Sequence, residues 1–214
     1  MMLLMGLGNP GEKYVGTRHN VGFDTVDFLC DRWGGEWKMD KKSKVMVARI
    51  SKIKDQISNK WEEIWLLKPQ TFMNESGRAV RNFVDFYKLE TINSKLETWL
   101  IHDDVDLELG RLKIQTGGGA AGHHGVESVI RQVSSFKFPV SSLVRFRMGI
   151  GKPKILNNEL GIMNYDSDKE MENWVLSKFT AAERQTAGEM VEKCAEAAEV
   201  ALSEGAEAAM NRFN

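Results

Sequence analysis

Asn9, His19, Asn74 and Asp103 are the residues of this chain whose types and setting could carry a reaction. His19 stands in Thr17-Arg18-His19-Asn20, shortly after the turn Gly6-Leu7-Gly8-Asn9-Pro10-Gly11. An imidazole takes a proton from water when a partner holds its other ring nitrogen, fixes the tautomer and stabilises the imidazolium. The apolar stretch Thr98–Ile101 supplies a candidate partner, because it runs into His102-Asp103-Asp104. Either aspartate could meet His19 if the two strands are neighbours. Asn9 is the one side chain in its turn that donates and accepts hydrogen bonds at once. Gly8, Pro10 and Gly11 suit a sharp, fixed bend around it. Asn74, closing Pro69-Gln70-Thr71-Phe72-Met73-Asn74 at the end of another apolar stretch, adds a third polar group suited to a carbonyl-bearing substrate. A lone histidine is more often structural than catalytic, and Asn74 could equally be a helix N-cap over core residues Phe72 and Met73.

Other chemistries compete for the same residues. His102, Asp103, Asp104, Asp106, His123 and His124 could ligate a metal in a hydrolase site, but they match no HExxH or comparable spacing. His123 and His124 are adjacent and would point apart in a regular element. Gly6-x-Gly8-x-x-Gly11 satisfies the dinucleotide fingerprint, yet no helix is expected at that turn, and Asp31 falls on a helix instead of ending a second strand. Gly117-Gly118-Gly119-Ala120-Ala121-Gly122 lacks the Gly-Lys-Ser/Thr of a phosphate loop and reads as a rim over a site or a plain connection.

The elements that must position these groups alternate between strand and helix. Strands are expected at Met1–Met5, Val45–Ile53, Glu63–Lys68, Thr98–His102, Leu112–Gln115 and Leu143–Gly149, where apolar residues run or alternate. Helical spacing marks Val21–Trp33, a segment opening at Asn74 with Val80, Phe83, Val84 and Tyr87 on one face, and Val126–Val133. Thr180-Ala181-Ala182-Glu183 is a capping box opening a long acidic helix over about 180–213. This order predicts an α/β fold, a single domain over 1–214 with a twisted, mixed, largely parallel sheet packed between helices. No repeat, low-complexity segment or linker interrupts it.

Composition fits a soluble globule, with 42% hydrophobic and 28% charged residues among 214. No apolar run reaches the ~18–20 residues of a membrane span. The start lacks a basic region followed by a long apolar stretch, so no signal peptide is expected and the cytosol is the expected compartment. Cys30 and Cys194 lie far apart among apolar residues and read as buried thiols. The net charge of −1 is unevenly spread: residues 166–214 carry 11 acidic and 5 basic groups, leaving the rest at +5. Basic residues gather at Lys41, Lys42 and Lys44, at Lys52 and Lys54, and at Arg145, Arg147, Lys152 and Lys154. An anionic partner of polynucleotide size would therefore meet the body of the protein, not its tail.

Five ordered stretches resemble the bacterial-type peptidyl-tRNA hydrolases: GLGNPGEKY with TRHNVGF, LLKPQTFMNESGRAV, IHDDVDLELGRLK, GGGAAGHHGVESVI, and FRMGIGKP. They span Leu3 to about Lys154, with VLSKF at Val175–Phe179 a weaker match. The resemblance implies a metal-free, cofactor-free, monomeric esterase that cuts the ester between a peptidyl group and the 3′ end of tRNA. It implies that His19 activates water, that Asp103 stabilises its protonated form, and that Asn9 contacts the nascent amide. Tyr14, Phe72, Met73 and Asn74 would contact the substrate's 3′ end and peptide, and Lys113 and Arg147 its phosphates. Two positions depart from the family pattern. Gly-His-Asn-Gly is replaced by Gly122-His123-His124-Gly125, so that His124 would face the reacting groups where the family has an amide. Gln115 stands near where a basic residue is usual. An RNA-binding relative with reduced or no catalysis and a metal-dependent hydrolase remain as alternatives, the first weakened by the retention of Asn9, His19, Asn74 and Asp103.

Overall fold

A computed structural model describes residues 1–54, 61–89, 96–133, 143–153 and 167–214. Lys154 lies outside them, and the side chains of Lys52 and Lys54 are likewise not described. Seven strands form one mixed sheet: β1 (Met2–Gly6), β2 (Lys38–Asp40), β3 (Val45–Lys54), β4 (Trp61–Pro69), β5 (Glu97–Asp104), β6 (Leu112–Thr116) and β7 (Val144–Gly149), in the order β2-β3-β4-β1-β5-β7-β6. The centre is parallel, with β1 between β4 and β5, and β7 beside β5. The flanks are antiparallel, β2 with β3, β3 with β4, and β6 with β7.

The central strands are buried on both faces, so they read as continuous apolar runs and not as alternation: Met2 to Gly6 of β1 are all buried. On one face lie α1 (Val21–Arg32) and α5 (Arg184–Glu204), closing over Leu4, Ile101 and Phe146. On the other lie α2 (Ser76–Phe86) and α3 (His124–Val133), closing over Leu3, Met5 and Leu100. Completing the helices among the described residues are α4 (Ser167–Leu176) and α6 (Ala206–Phe213). α2 buries Ala79, Val80, Phe83 and Val84, the stripe expected from its spacing. α5 presents Ala187, Ala195, Ala198 and Ala201 inward, small side chains that let a long helix lie close against its neighbours. No helix among the described residues is long and apolar enough to cross a membrane.

Three expectations are refined. The segment at Asn74 begins as a 3-10 turn over Met73–Glu75, and Glu75 rather than Asn74 stands at the N-cap of α2. The long C-terminal helix is two helices, broken at Gly205, whose positive φ of 95° is costly for other residues. Glu183 does reach back to the Thr180 N–H at 2.8 Å, but Thr180 Oγ donates to the same carboxylate instead of capping, and the helix starts at Arg184. Cys30 and Cys194 are buried free thiols, and burial is the main cause pushing the Cys30 thiol up to about 11.

One close approach sets the site. A Cβ on Gly6 would lie 2.2 Å from the Gly22 carbonyl oxygen, and one on Gly22 would lie 2.5 Å from the Ile101 carbonyl oxygen. Two glycines thus let the first turn of α1 rest directly on the ends of β1 and β5. The turn carrying His19 and Asn20 is thereby brought over the carboxyl ends of the parallel strands, where open α/β sheets place their ligands.

Candidate active site

Asp103, near the carboxyl end of β5, accepts at its Oδ1 from two imidazoles, His19 Nδ1 at 2.9 Å and His123 Nε2 at 2.9 Å. The adjacency that brings His19 there is the parallel pairing of β1 with β5, extended by the Leu7 N–H donating to the Ile101 carbonyl at 2.9 Å. Asp104, left open by the sequence, points elsewhere: its Oδ2 holds Arg147 Nε at 2.6 Å and its Oδ1 accepts from the Asp106 N–H at 2.9 Å. Successive side chains leave a strand on opposite faces, so only one of the two aspartates can serve His19.

The hydrogen bonds assign the tautomers. His19 donates Nδ1–H to Asp103, which leaves its Nε2 lone pair free. His123 immediately precedes α3, and its Nδ1 accepts from the N–H groups of Gly125 (3.1 Å) and Val126 (3.3 Å). It therefore caps the helix, carries its proton on Nε2, and donates that proton to Asp103. His102 Nδ1 donates to the Asp103 carbonyl at 2.7 Å, and its Nε2 is buried without a partner among the described residues. Burial, then the neighbouring His123, holds the His102 imidazole well below its ordinary range, so it stays neutral. For Asp103, burial pushes the carboxyl up, but His19 and His123 outweigh it and hold it well below the usual carboxylate range. Asp103 is thus a buried anion kept ionised by two ring N–H donors.

His19, Asp103 and His123 offer ligand atoms within 4.8 Å of one another, the geometry of a possible metal cluster among the described residues. The donor set fits a metal poorly. A cation on His123 Nε2 would move the ring proton to Nδ1 and break both caps of α3; one on His19 Nδ1 would move the proton to the nitrogen that must stay free.

Asn9 is buried and held at three points. Its N–H donates to Asn20 Oδ1 at 2.9 Å, its carbonyl accepts from Asn20 Nδ2 at 3.0 Å, and its Oδ1 accepts from the Met73 N–H at 2.9 Å. The Asn9 Nδ2 donor is left without a protein partner among the described residues. Asn20 was legible only as a neighbour of His19; here it clamps the turn that aims Asn9. No helix follows Gly11, only a 3-10 turn over Glu12–Tyr14, so the glycine pattern is not a dinucleotide loop.

The remaining predicted residues frame this centre. Met73 is buried under Asn9, Phe72 is 61% exposed, and Asn74 is exposed beside them. Tyr14 is half-buried in the 3-10 turn, where its carbonyl accepts from Thr17 Oγ1 at 2.8 Å. Lys113 and Arg147 sit opposite each other on β6 and β7. Arg147 is engaged by Asp104 and by Gln115, whose Oε1 accepts from Nη1 at 2.7 Å. Arg145, absent from the predicted site, is buried and donates to the carbonyls of Gly117 (3.0 Å) and Gly119 (2.9 Å), bracing the glycine-rich loop.

His124 corrects the sequence reading. Its side chain is 79% exposed, 4.0 Å from Glu127, and does not face His19. The cause is helix geometry: the capping residue, His123, folds its ring back over the helix start, and the first helical residue points outward. His123, read earlier only as a possible metal ligand, occupies the place expected for His124.

The family model described as peptidyl-tRNA hydrolase matches residues 3–214. A peptidyl-tRNA hydrolase of Caldanaerobacter subterraneus is 39% identical, with 100% of each chain covered. One of Synechococcus elongatus is also 39% identical, over 99% of this chain and 91% of the relative. The crystal structure of the Acinetobacter baumannii peptidyl-tRNA hydrolase superposes with a TM-score of 0.77 at 29% identity, covering 100% of this chain and 94% of that one.

Proposed function

The chain belongs to the peptidyl-tRNA hydrolase family, and on that premise we propose how its own residues hydrolyse the ester between a peptide and the 3′ oxygen of tRNA. The observation that carries the reading is a histidine oriented by a buried carboxylate through Nδ1, which leaves its Nε2 lone pair for water. Water bound at His19 Nε2 loses a proton to that nitrogen as its oxygen attacks the ester carbonyl carbon. Asp103 stabilises the imidazolium so formed, and its second donor, His123, keeps the carboxylate in place. The carbon–oxygen bond to the tRNA breaks, and the proton on His19 passes to the leaving 3′ oxygen. The products are tRNA and the peptide carboxylic acid, which ionises by releasing its proton to solvent.

Asn9 Nδ2 donates to the peptide carbonyl next to the ester, a group present in peptidyl-tRNA and missing from free aminoacyl-tRNA. Because Met73 and Asn20 fix the Asn9 amide before substrate arrives, little reorganisation is needed in the reaction. Phe72, Met73, Asn74 and Tyr14 line the approach, and Lys113, Arg147 and the exposed His124 contact the RNA at the rim. No step draws on a metal or other cofactor. The enzyme acts as a monomer in the cytosol, where its substrate arises.

The test is release of peptide from an N-acyl-aminoacyl-tRNA by wild type and His19→Ala, with and without chelator. Hydrolysis that survives chelation and is lost in His19→Ala supports the reading. Activity abolished by chelator alone, or RNA binding without turnover, would overturn it.

A further inference from the structure

Among the described residues, Met39, Phe86 and Tyr87 are large apolar side chains that remain 45%, 48% and 40% exposed, and they share one feature of the surface. They line an open groove of about 680 Å³ between the end of α2 and the β2–β3 hairpin. The Phe86 and Tyr87 rings meet edge to face at 5.0 Å, and Lys42 Nζ lies 4.5 Å over the Phe86 ring. Clustered exposed apolar groups with a charged rim mark a place where something binds. The reaction described above uses none of them.

The strand order says which part of the substrate passes there. Lys113 and Arg147 lie on β6 and β7, the reacting groups Asp103 and Asn9 at the ends of β5 and β1, and Phe72 and Met73 follow β4. The groove comes next, over β3 and β2, on the side away from Lys113 and Arg147. A substrate with its RNA toward β7 and its ester at β5 and β1 carries its acyl chain toward β4 and beyond. Gln70 N–H donates to the Lys44 carbonyl at 2.7 Å, joining the turn of the hairpin to the segment that bears Phe72.

We infer that the groove at Met39, Lys42, Phe86 and Tyr87 is a distal subsite for the peptide of peptidyl-tRNA; the inference rests on the proposed function. β2 lies three strand spacings from β1, about 14 Å. At ~3.3 Å per extended residue, a peptide reaches it only beyond about four or five residues. Among the described residues β2 is also the terminal strand, so the outer edge of Lys38–Asp40 is unpaired there and can take an extended chain. Aromatic and aliphatic side chains suit the ring-lined floor. Acidic ones suit the rim, where Lys38, Lys41 and Lys42 outnumber Glu36 and Asp40. Asp40 Oδ1 is turned into its own loop, accepting from the Lys42 N–H at 2.9 Å.

The experiment compares two substrates on the same tRNA, an N-acetyl-aminoacyl ester and a peptidyl ester of about eight residues, long enough to reach the groove. Steady-state hydrolysis is measured for wild type, Phe86→Ser and Lys42→Glu. The expected result is a rise in KM of about 5- to 30-fold for the long substrate in Phe86→Ser, with the short substrate within about 2-fold of wild type. Lys42 sits in an exposed turn, so Lys42→Glu repeats the test without risk to the core, most clearly with an acidic peptide. Equal losses on both substrates, with weaker competition by deacylated tRNA, would place RNA in the groove and overturn the inference. Unchanged kinetics on both would overturn it as well. The short substrate tests the reaction itself, so failure of the proposed hydrolysis and failure of the subsite give different results.

Discussion

Replacing His123 separates two jobs that one ring performs. Its Nε2–H donates to the ionised Asp103 at 2.9 Å, and its Nδ1 caps α3 through Gly125 and Val126. A serine at 123 retains an oxygen for capping but cannot span to Asp103; an alanine does neither. The cap is worth about 1 kcal/mol, so His123→Ala should melt about 2–4 °C below His123→Ser, and both below wild type, because both lose the bond to the buried Asp103. A hydrogen bond to a charged acceptor is worth about 1.5–3 kcal/mol. If that bond holds the carboxylate where the His19 imidazolium needs it, both variants lose the same ~10- to 100-fold in kcat. KM should change little, because both ring nitrogens are engaged within the protein, Nε2 by Asp103 and Nδ1 by the start of α3, and neither is left for substrate. Single-turnover hydrolysis of N-acetyl-aminoacyl-tRNA, alongside thermal melts, measures both quantities. His123→Ser with kcat within about 2-fold of wild type would refute the assigned role. So would a kcat loss that follows stability, large in the alanine variant and small in the serine.

Three further outcomes follow from the same geometry. Burial, then Asp27, raises the Asp24 carboxyl to about 6. Its folded value therefore exceeds its unfolded one, and it costs stability as pH rises from about 4 through 6. Asp24→Asn should stabilise the protein by about 1–3 kcal/mol near pH 8 and leave it unchanged near pH 4, read from denaturant melts at the two pH values. Gly22→Ala sets a methyl group against the backbone of Ile101 and Leu7, and should cost about 2–4 kcal/mol and much of the activity, since the same contact seats the His19 turn. His124→Asn should leave kcat and its pH dependence unchanged, because the side chain points to solvent; any effect should appear in KM, measured with full-length tRNA substrates.

The sequence made the parallel core readable, and a partner for His19 at Asp103 or Asp104, for a physical reason: buried parallel strands are unbroken apolar runs, and catalytic groups collect at their ends; only the resemblance singled out Asp103. Which strands are neighbours is not written locally. The seating of the His19 turn over β1 and β5 depends on Gly6 and Gly22 letting helix and strands touch, a relation between residues in different layers of the fold. The histidine pair shows the limit at finer scale. Alternation predicted that His123 and His124 diverge, but which one turns inward depends on where α3 starts, and a cap is set by the exit angle of a glycine-rich loop. That loop is in turn braced by Arg145, whose basic type had suggested only a surface contact. Asn20 was overlooked as a clamp for a similar cause: an amide gripping a backbone eleven residues away leaves no spacing signature.

The central claim is that His19, oriented by Asp103, is the base that activates water. Single-turnover hydrolysis of N-acyl-aminoacyl-tRNA by His19→Ala, with substrate binding measured in parallel, tests it most directly. The expected result is a fall in rate of about 10²–10⁴-fold with affinity retained. A rate near that of wild type would contradict it.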